Sequence, residues 1–346
     1  MDAFARRLAA TAIVVLATVT PSWAGEGSQH GLAGGPLKPG GPSAYHLGVG
    51  RVESTLDRGD TGAGTLAGPS VAQAADERGR EAAPGGTKGD ERDKSLSELN
   101  KELTNPVTSL WSLTSQFNNY RLANGKWNNN WQFQPVLPVS LTKDWNLITR
   151  PVFQLYNIVP HETSSGQFDT SVGLGDTILL GLLSPAHSGK WILGAGPTFI
   201  FPTATSDFTG QGKWQIGPGV VAGYLTDRFI LGLFPQQWWS IGGDPDRPAV
   251  SQLNLQPIAA LFFGDGWNVG YSGNILADWK APSGDVWTVP VGLGVGKVLR
   301  LGRLPVKVQL SLQYMPVRPK NVGQEWNVQL LVAPVIPKLL KGTLFE

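Results

Sequence analysis

The chain has 346 residues, of which 41% are hydrophobic and only 16% are charged, with 44 glycines, 13 tryptophans and no cysteine. The lack of cysteine excludes disulfide frameworks, zinc–thiolate sites and cysteine catalysis. The net charge of +2 gives no indication of nucleic-acid binding. Charged residues are scarcer than in typical soluble proteins, where they make up about a quarter of the chain. The composition therefore indicates an unusual environment.

Residues 1–24 have the pattern of a cleavable signal peptide. Arg6 and Arg7 precede a short apolar run over 8–19, and Ser22, Trp23 and Ala24 form a small-x-small cleavage site. The apolar run is too short for a transmembrane helix, which needs about 20 residues. This length argues against an uncleaved membrane anchor, so we expect an exported protein.

Residues 25–94 form the next segment, which is rich in glycine, proline, alanine and charges of both signs and has no apolar periodicity. Such a composition cannot bury enough apolar surface to offset the entropy lost on ordering. We expect a disordered tether here.

Residues 95–104 are predicted to form a short helix. Ser95 and Glu98 have the spacing of a capping box, and Leu96, Leu99 and Leu103 would share one face of the helix. A lone short helix is marginally stable, which favours a surface helix. A cap or plug against the following domain is the alternative.

From residue 105 to 346 the chain alternates apolar and polar residues with period two, as expected for strands with one apolar and one polar face. These segments are long enough to cross a membrane as tilted strands of about 9–11 residues. Tight turns alternate with longer links, as in outer-membrane barrels. The pattern predicts an all-β fold, a transmembrane antiparallel up-and-down barrel of 12 strands, with both termini and the tether on the periplasmic side. The predicted strands are 107–120, 129–141, 145–157, 168–184, 190–203, 213–225, 228–241, 250–263, 267–280, 286–299, 305–317 and 325–336.

Aromatic residues near the ends of the apolar faces are a second, separate indication of a membrane barrel. Trp267 and Trp279 are separated along one strand by a distance that projects to roughly 28 Å along the membrane normal, and the apolar band of such barrels is about 25 Å tall. A soluble sandwich would instead place its aromatic residues in mid-strand. The predicted periplasmic girdle comprises Trp111, Trp145, Trp191, Tyr224, Phe229 and Trp267. The predicted outer girdle comprises Trp131, Trp214, Trp239, Trp279, Trp287 and Trp326.

The polar faces of the same strands predict an amide-rich lumen. A barrel of 12 strands lies between filled eight-stranded barrels and open porins of 16–18 strands, so we expect a narrow lumen that is open or blocked by side chains or by the tether. The expected lumen-lining residues, which are possible solute contacts, are Gln116, Gln132, Gln134, Arg150, Gln154, Asp176, Gln236, Trp238, Gln256, Asn274, Asp278, Lys307, Gln309 and Gln313.

We make specific predictions for two features of this lumen. Arg150 and Asp176 are predicted to pair across two strands, with a bulge at Gly175 turning Asp176 inward, as a register lock or as a selectivity charge. Trp238 has the inward phase but is followed by Trp239. Either ring could face lipid, and the alternative is that Trp238 contacts a passing solute.

Several motifs over about residues 104–337 resemble bacterial outer-membrane proteins grouped as the meta-pathway phenol-degradation family, also labelled transporters. The resemblance implies a membrane barrel and passage of small hydrophobic or aromatic compounds. The long tether departs from the family pattern. The residues that carry the resemblance are 105–107, 134–138, 144–151, 173–176 (Gly-Leu-Gly-Asp), 196–199 with 202–203, and 212–214 with 217–219.

We therefore expect a passive channel or transporter without cofactor, catalytic residues or metal ligands, whose partners are outer-membrane lipid, a small solute and the barrel-assembly machinery, but not nucleic acid. The pattern does not determine the oligomeric state. A barrel with a structural or adhesive role and no conduction is the alternative. A remote alternative is a hydrolase at the outer rim, where His161 could approach an acidic residue: Asp169, Asp207, Asp244 or Asp246.

Overall fold

The computed structural model describes residues 94–163, 165–320, 323–340 and 342–345. The predicted signal peptide and almost all of the predicted tether lie outside these residues. Helix α1 (Leu96–Thr104) is followed by strands β1 to β14 and by a 3-10 turn (Gly264–Gly266) between β9 and β10. The strands are β1 (Trp111–Leu122), β2 (Trp127–Ser140), β3 (Trp145–Glu162), β4 (Phe168–Gly173), β5 (Thr177–Pro185), β6 (Trp191–Phe201), β7 (Lys213–Leu225), β8 (Phe229–Gly243), β9 (Ser251–Phe263), β10 (Trp267–Tyr271), β11 (Ile275–Asp278), β12 (Trp287–Leu301), β13 (Leu304–Val317) and β14 (Gln324–Ile336).

The strands close into a ring of antiparallel neighbours. Strands β4 and β5 both pair with β3 and form one interrupted strand, and β10 and β11 both lie between β9 and β12 and form another. The ring closes because β14 pairs with both β13 and β1, and β13 pairs with β12. These pairings confirm the predicted all-β barrel of 12 antiparallel strands. The first interruption includes Gly175, where a bulge was expected.

The two ends of the barrel differ in their connections. At the short-turn end, the links between strands are residues 141–144, 186–190, 226–228, 264–266 and 302–303, and α1 precedes β1 there. At the long-loop end, the links are residues 123–126, 163–167, 202–212, 244–250, 279–286 and 318–323.

The alternation of exposure along the strands separates the outside of the barrel from its interior. In β13, Leu310 and Leu312 are exposed, whereas Ser311 and Gln313 between and beside them are buried. The barrel therefore has an apolar outer face, as the period-two pattern requires. Within the described residues, no helix is long and apolar enough to cross a membrane.

Part of the interior is apolar, which the period-two pattern did not predict. Strand β5 carries Ile178, Leu180 and Leu182 on its inner face, while Leu183 on its outer face is exposed. A strand that is apolar on both faces shows no alternation, so its sequence does not predict which face points inward. The buried cluster inside the ring comprises Ile148, Leu180, Leu182, Ile192, Val221, Ile230, Phe234 and Ile258.

Lys94 contacts the folded part of the chain, although the sequence placed it in the tether. Its Nζ lies 2.5 Å from Glu102 Oε1, and Arg300 donates a hydrogen bond to its carbonyl oxygen. We expect that deleting residues 26–93 behind the same signal peptide leaves the barrel folded, because the ring is complete within 111–336. Heat-modifiable migration of the shortened protein checks this. Loss of that migration would show that the deleted segment is needed for folding.

Candidate functional site

The barrel encloses a cavity of about 250 Å³. The residues around this cavity include ten of the fourteen that were expected to line the lumen: Gln116, Gln132, Gln134, Arg150, Gln236, Trp238, Gln256, Asn274, Gln309 and Gln313. The cavity is also lined by Asn254, Ser272 and Gln329, which lie on the polar faces that the period-two pattern points inward. The polar lining residues that the sequence reasoning missed are Tyr120, Asn128, Asn130 and Gln324. Tyr271 also lines the cavity although its phase is outward, because the strand is interrupted directly after it.

One wall of the cavity consists of amide side chains that hydrogen-bond to each other across strands. Asn118 donates to Asn130 Oδ1 at 2.7 Å, and Gln329 donates to Asn118 Oδ1 at 2.9 Å. Asn130 in turn donates to Gln154 Oε1 at 3.0 Å. Gln154 is thus a buried member of this network and does not line the cavity itself. Such cross-strand bonds fix the side chains in place and leave some amide groups free to face the cavity.

The opposite wall is largely apolar and contains Trp238, although Gln236 and Gln256 also line the cavity on this side. This side chain is 0% exposed, packs with Ile178 and Ile200, and donates from Nε1 to Thr198 Oγ1 at 3.1 Å. Its neighbour Trp239 is exposed on the outside. The structure therefore places Trp238 in the interior and not against lipid, which decides between the two placements that the sequence left open.

Arg150 lies where the apolar and amide walls meet. Its guanidinium donates to Gln134 Oε1. In the register of β3 and β5, Arg150 is opposite Leu180 and Val152 is opposite Ile178, so continuing the register would put Asp176 beside Gln154. The predicted pair of Arg150 with Asp176 is therefore wrong. The offset of four residues corresponds to about 13 Å along the strand.

The hairpin geometry explains this error. Strand β3 was predicted to end at residue 157 but continues to Glu162, which pairs with Phe168 at the start of β4. The turn is therefore shorter and lies later in the chain than expected. Every cross-strand partner of β3 shifts accordingly, because antiparallel register is set by the position of the turn.

Asp176 holds a loop and does not pair with Arg150. It is 0% exposed, and its carboxylate accepts hydrogen bonds from the backbone N–H groups of Ala204 at 3.1 Å and Gln211 at 2.9 Å. The Gln211 side chain bonds to Gln215 and Gln252, which both point inward. The link 202–212 is thereby folded against the inner wall at the long-loop end.

We expect Asp176→Asn to release this link, because an amide replaces one of the two carboxylate acceptors with a donor that faces an N–H group. Hydrogen bonds to charged groups contribute about 1.5–3 kcal/mol. Chymotrypsin cleavage after Phe208, which stacks on His161 at 3.6 Å between ring centroids, should accelerate about tenfold or more. Asp207→Asn is the matched control, because Asp207 lies in the same link and its exposed carboxylate makes a 3.7 Å ion pair with Arg247, a kind of contact that contributes little. Equal cleavage rates in both variants would contradict this role.

The two remaining predicted lumen residues lie towards opposite ends of the barrel. Lys307 is buried on β13 near the short-turn end, and its Nζ donates to Thr104 Oγ1 of α1 at 2.6 Å. Asp278 ends β11 at the long-loop end, opposite Gln252, and accepts a hydrogen bond from the backbone N–H of Lys280. The ammonium group of Lys307 therefore contacts α1, and Lys307 does not line the cavity.

Residues 95–110, named the plug here, cross the interior at the short-turn end. Leu99 of α1 is 0% exposed in a cluster with Leu110, Val298 and Val335. Val107, which follows α1, packs against the apolar cluster inside the barrel.

The plug reaches opposite sides of the ring. The Cγ1 of Val107 lies 3.2 Å from the position that a Cβ would occupy at Gly194 on β6, while Thr104 contacts Lys307 on β13. Strands β6 and β13 are diametrically opposed in a ring of twelve. The expectation of a surface helix is therefore wrong, because apolar residues far along the chain bury the leucine face of α1.

Polar contacts fix the plug to the turns of the short-turn end. The side chain of Asn100 donates to Gly266 O at 3.0 Å, and Lys101 Nζ lies 2.7 Å from Asp227 Oδ1. Hydrogen bonding and the charge of Lys101 hold the pKa of Asp227 below its usual range. Ser95 caps α1 in a capping box, and hydrogen bonds from Ser95 lower the pKa of Glu98.

The predicted girdle residues lie near strand ends with at least partly exposed side chains, except Trp111. Trp111 is buried, and its Nε1 donates to Pro138 O at 2.8 Å, so it is not part of an exposed ring. Trp127, which was not predicted, is exposed at the long-loop end. The residues near the short-turn end are Trp145, Trp191, Tyr224, Phe229 and Trp267, and those near the long-loop end are Trp131, Trp214, Trp239, Trp279, Trp287 and Trp326.

The rim around His161 is partly engaged in other contacts. His161 lies opposite Asp169 in the β3–β4 register, and Ser171 Oγ is 3.5 Å from its Nδ1, which is a weak contact. Asp207 instead pairs with Arg247 at 3.7 Å. Within the described ranges, no group of three or more His, Asp or Glu side chains is arranged to hold a metal ion.

Comparisons with known proteins give likenesses of structure only. No family model matches the chain and no curated protein matches it, so the resemblance to the meta-pathway family is not confirmed. An outer-membrane channel from Pseudomonas putida F1 is similar at 14% identity and a TM-score of 0.47, over 66% of this chain and 94% of that one. The NanC porin is similar at 8% identity and a TM-score of 0.40, over 66% of this chain and 99% of the porin. Outer membrane phospholipase A from Escherichia coli is similar at 10% identity and a TM-score of 0.35, over 70% of this chain and 99% of the phospholipase.

Proposed function

We propose that the protein is an outer-membrane channel that passes small, hydrophobic or aromatic solutes passively through a narrow lumen. The observation that carries this proposal is the cavity inside a closed ring of strands, with one amide wall and one apolar wall. Amides hydrogen-bond to polar substituents, while an apolar wall contacts rings and hydrocarbon.

The outer surface supports a place in a membrane. Exposed leucine and valine side chains on several strands lie between the two sets of strand-end aromatic residues. Soluble monomers rarely expose apolar patches larger than a few hundred Å², whereas barrels in lipid carry such a band between aromatic girdles. The signal-peptide pattern and the short turns then favour the outer membrane with the short-turn end towards the periplasm. Insertion by the barrel-assembly machinery follows from this location.

The plug means that passage requires a rearrangement at the short-turn end. Residues 95–110 connect β6 with β13 across the interior. The folded arrangement is therefore a closed state, and conduction depends on how often the plug moves aside. A permanently closed barrel would serve only a structural or adhesive role.

Liposome swelling tests the proposed channel. Benzenesulfonate is an aromatic solute that lipid excludes, and arabinose is a small sugar. We expect the protein to admit benzenesulfonate faster than arabinose, and protein-free liposomes to admit neither. If neither solute enters, both with the full chain and with a variant in which the plug is weakened, the structural alternative replaces the channel.

A further inference from the structure

We propose that Arg150 and the apolar wall beside it form a binding site for a small carboxylate with an aromatic or apolar body. The proposal rests on the proposed channel, since it names the class of solute that the cavity of that channel would hold. It requires a charge, an apolar surface next to the charge, and enough space for the ligand.

Arg150 supplies the charge. Within the part of the chain that the structure describes, it is the one charged residue that lines the cavity, and no carboxylate forms an ion pair with it. A guanidinium has five N–H donors in a planar fork that matches a carboxylate. One of these donors is used by Gln134 Oε1, and the buried Nε has no hydrogen-bond partner among the described residues.

The other charges that were expected in the lumen have contacts elsewhere. Lys307 donates to the plug at Thr104, Asp176 accepts from the backbone of the link 202–212, and Asp278 accepts from the backbone N–H of Lys280. None of these three residues lines the cavity. An anion in the cavity would therefore meet Arg150 as its partner, with no carboxylate of the lining to repel it.

The apolar surface starts directly beside the guanidinium. Leu180 lies opposite Arg150 across the β3–β5 pair, and Val152 lies two residues further along the same inner face, opposite Ile178. Trp238 packs on Ile178, and all of these side chains line the cavity. A ligand that places its carboxylate at Arg150 would lay its body on this wall, where apolar contact stabilises it.

The amide wall borders this surface and would hydrogen-bond to hydroxyl substituents on the ligand. Of its residues, Gln132 and Gln134 lie on β2, next to β3, and Gln309 lies on β13. The cavity of about 250 Å³ is slightly smaller than the roughly 300–1,000 Å³ of most small-molecule sites. These dimensions favour a monocyclic ligand over an oligosaccharide or a lipid.

Binding to the full chain in detergent tests the site without requiring passage. The probes are benzoate, benzyl alcohol (the ring without the charge) and acetate (the charge without the ring), measured by isothermal titration calorimetry. We expect benzoate to bind at least about tenfold more tightly than either other probe, a factor equivalent to about 1.4 kcal/mol.

Substitutions of Arg150 test whether this residue supplies the charge that binds the carboxylate. Arg150→Gln should weaken benzoate binding at least about tenfold and leave benzyl alcohol binding unchanged, whereas Arg150→Lys should keep part of the benzoate affinity. Arg121→Gln is the matched control, because it removes the same charge from the exposed rim at the long-loop end. Unchanged heat-modifiable migration shows that each variant is folded.

The outcomes separate this site from the proposed channel. Equal binding of benzoate and benzyl alcohol, or full benzoate affinity in Arg150→Gln, overturns the carboxylate site even if liposomes swell. Benzoate binding that depends on Arg150 supports the site even if no solute passes, and in that case the proposed channel fails alone.

Discussion

Leu310→Arg is expected to destabilise the barrel in lipid by about 2–4 kcal/mol, whereas Gln309→Arg is expected to be tolerated. Leu310 lies in the middle of β13, 54% exposed on the outer face, and pairs with Leu330 on β14 and Val295 on β12. An arginine at the centre of the lipid-facing band costs about 2–4 kcal/mol. That is a large fraction of the 5–15 kcal/mol by which most proteins are stable.

Gln309 is the matched control because it is the adjacent residue on the inner face and lines the cavity. An arginine there keeps its head group in a polar, hydrated lumen. Urea unfolding in lipid vesicles, followed by heat-modifiable migration, measures both variants. A similar loss of stability in the two variants would mean that the faces of β13 are reversed or that the outer face does not contact lipid.

The strands could be predicted because lipid and lumen impose opposite requirements on alternate residues. In β13 this gives the sequence Val306 to Tyr314, where apolar and polar residues alternate without exception. Strand β5 shows the limit of this reasoning. Ile178, Leu180 and Leu182 point inward although they are apolar, since part of the lumen is filled by a hydrophobic cluster. Alternation cannot reveal a strand that is apolar on both faces.

Contacts between distant parts of the chain set the remaining limits. The leucine face of α1 was evident, but the residues that bury it, Val298 and Val335, lie 199 and 236 residues after Leu99 in the chain. Likewise, Asp176 is buried, but its carboxylate accepts hydrogen bonds from the link 202–212, which the sequence pattern did not predict. Local periodicity contains no information about such partners.

Leu99→Asp is expected to open the barrel at the short-turn end. Leu99 is 0% exposed among Leu110, Val298 and Val335. Full burial of a leucine side chain contributes about 1.5–3 kcal/mol, and an unpaired carboxylate in this cluster would add a further penalty. Each 1.4 kcal/mol changes an equilibrium by a factor of ten. The open fraction, and with it the mean conductance in planar bilayers, should rise at least about tenfold.

Lowering the pH should also open the barrel at the short-turn end, because it weakens the contact between Lys101 and Asp227. The folded-state pKa of Asp227 is lowered, so this contact stabilises the closed plug above the ordinary pKa of aspartate. The contribution is lost as the pH falls through the lowered value. Asp227→Asn should remove this part of the pH dependence, and the gain in conductance on acidification should shrink in that variant.

Leu339→Asp distinguishes opening of the plug from a general effect of an added charge. Leu339 follows β14 at the same end of the barrel and is 79% exposed, so the same substitution there breaks no buried contact. We expect its conductance to equal that of the unmodified protein. If Leu99→Asp conducts no better than Leu339→Asp while both are folded, the plug does not limit passage, and the barrier must lie elsewhere, with the link 202–212 held by Asp176 as the next candidate. In that case Asp176→Asn, and not Leu99→Asp, should raise the conductance.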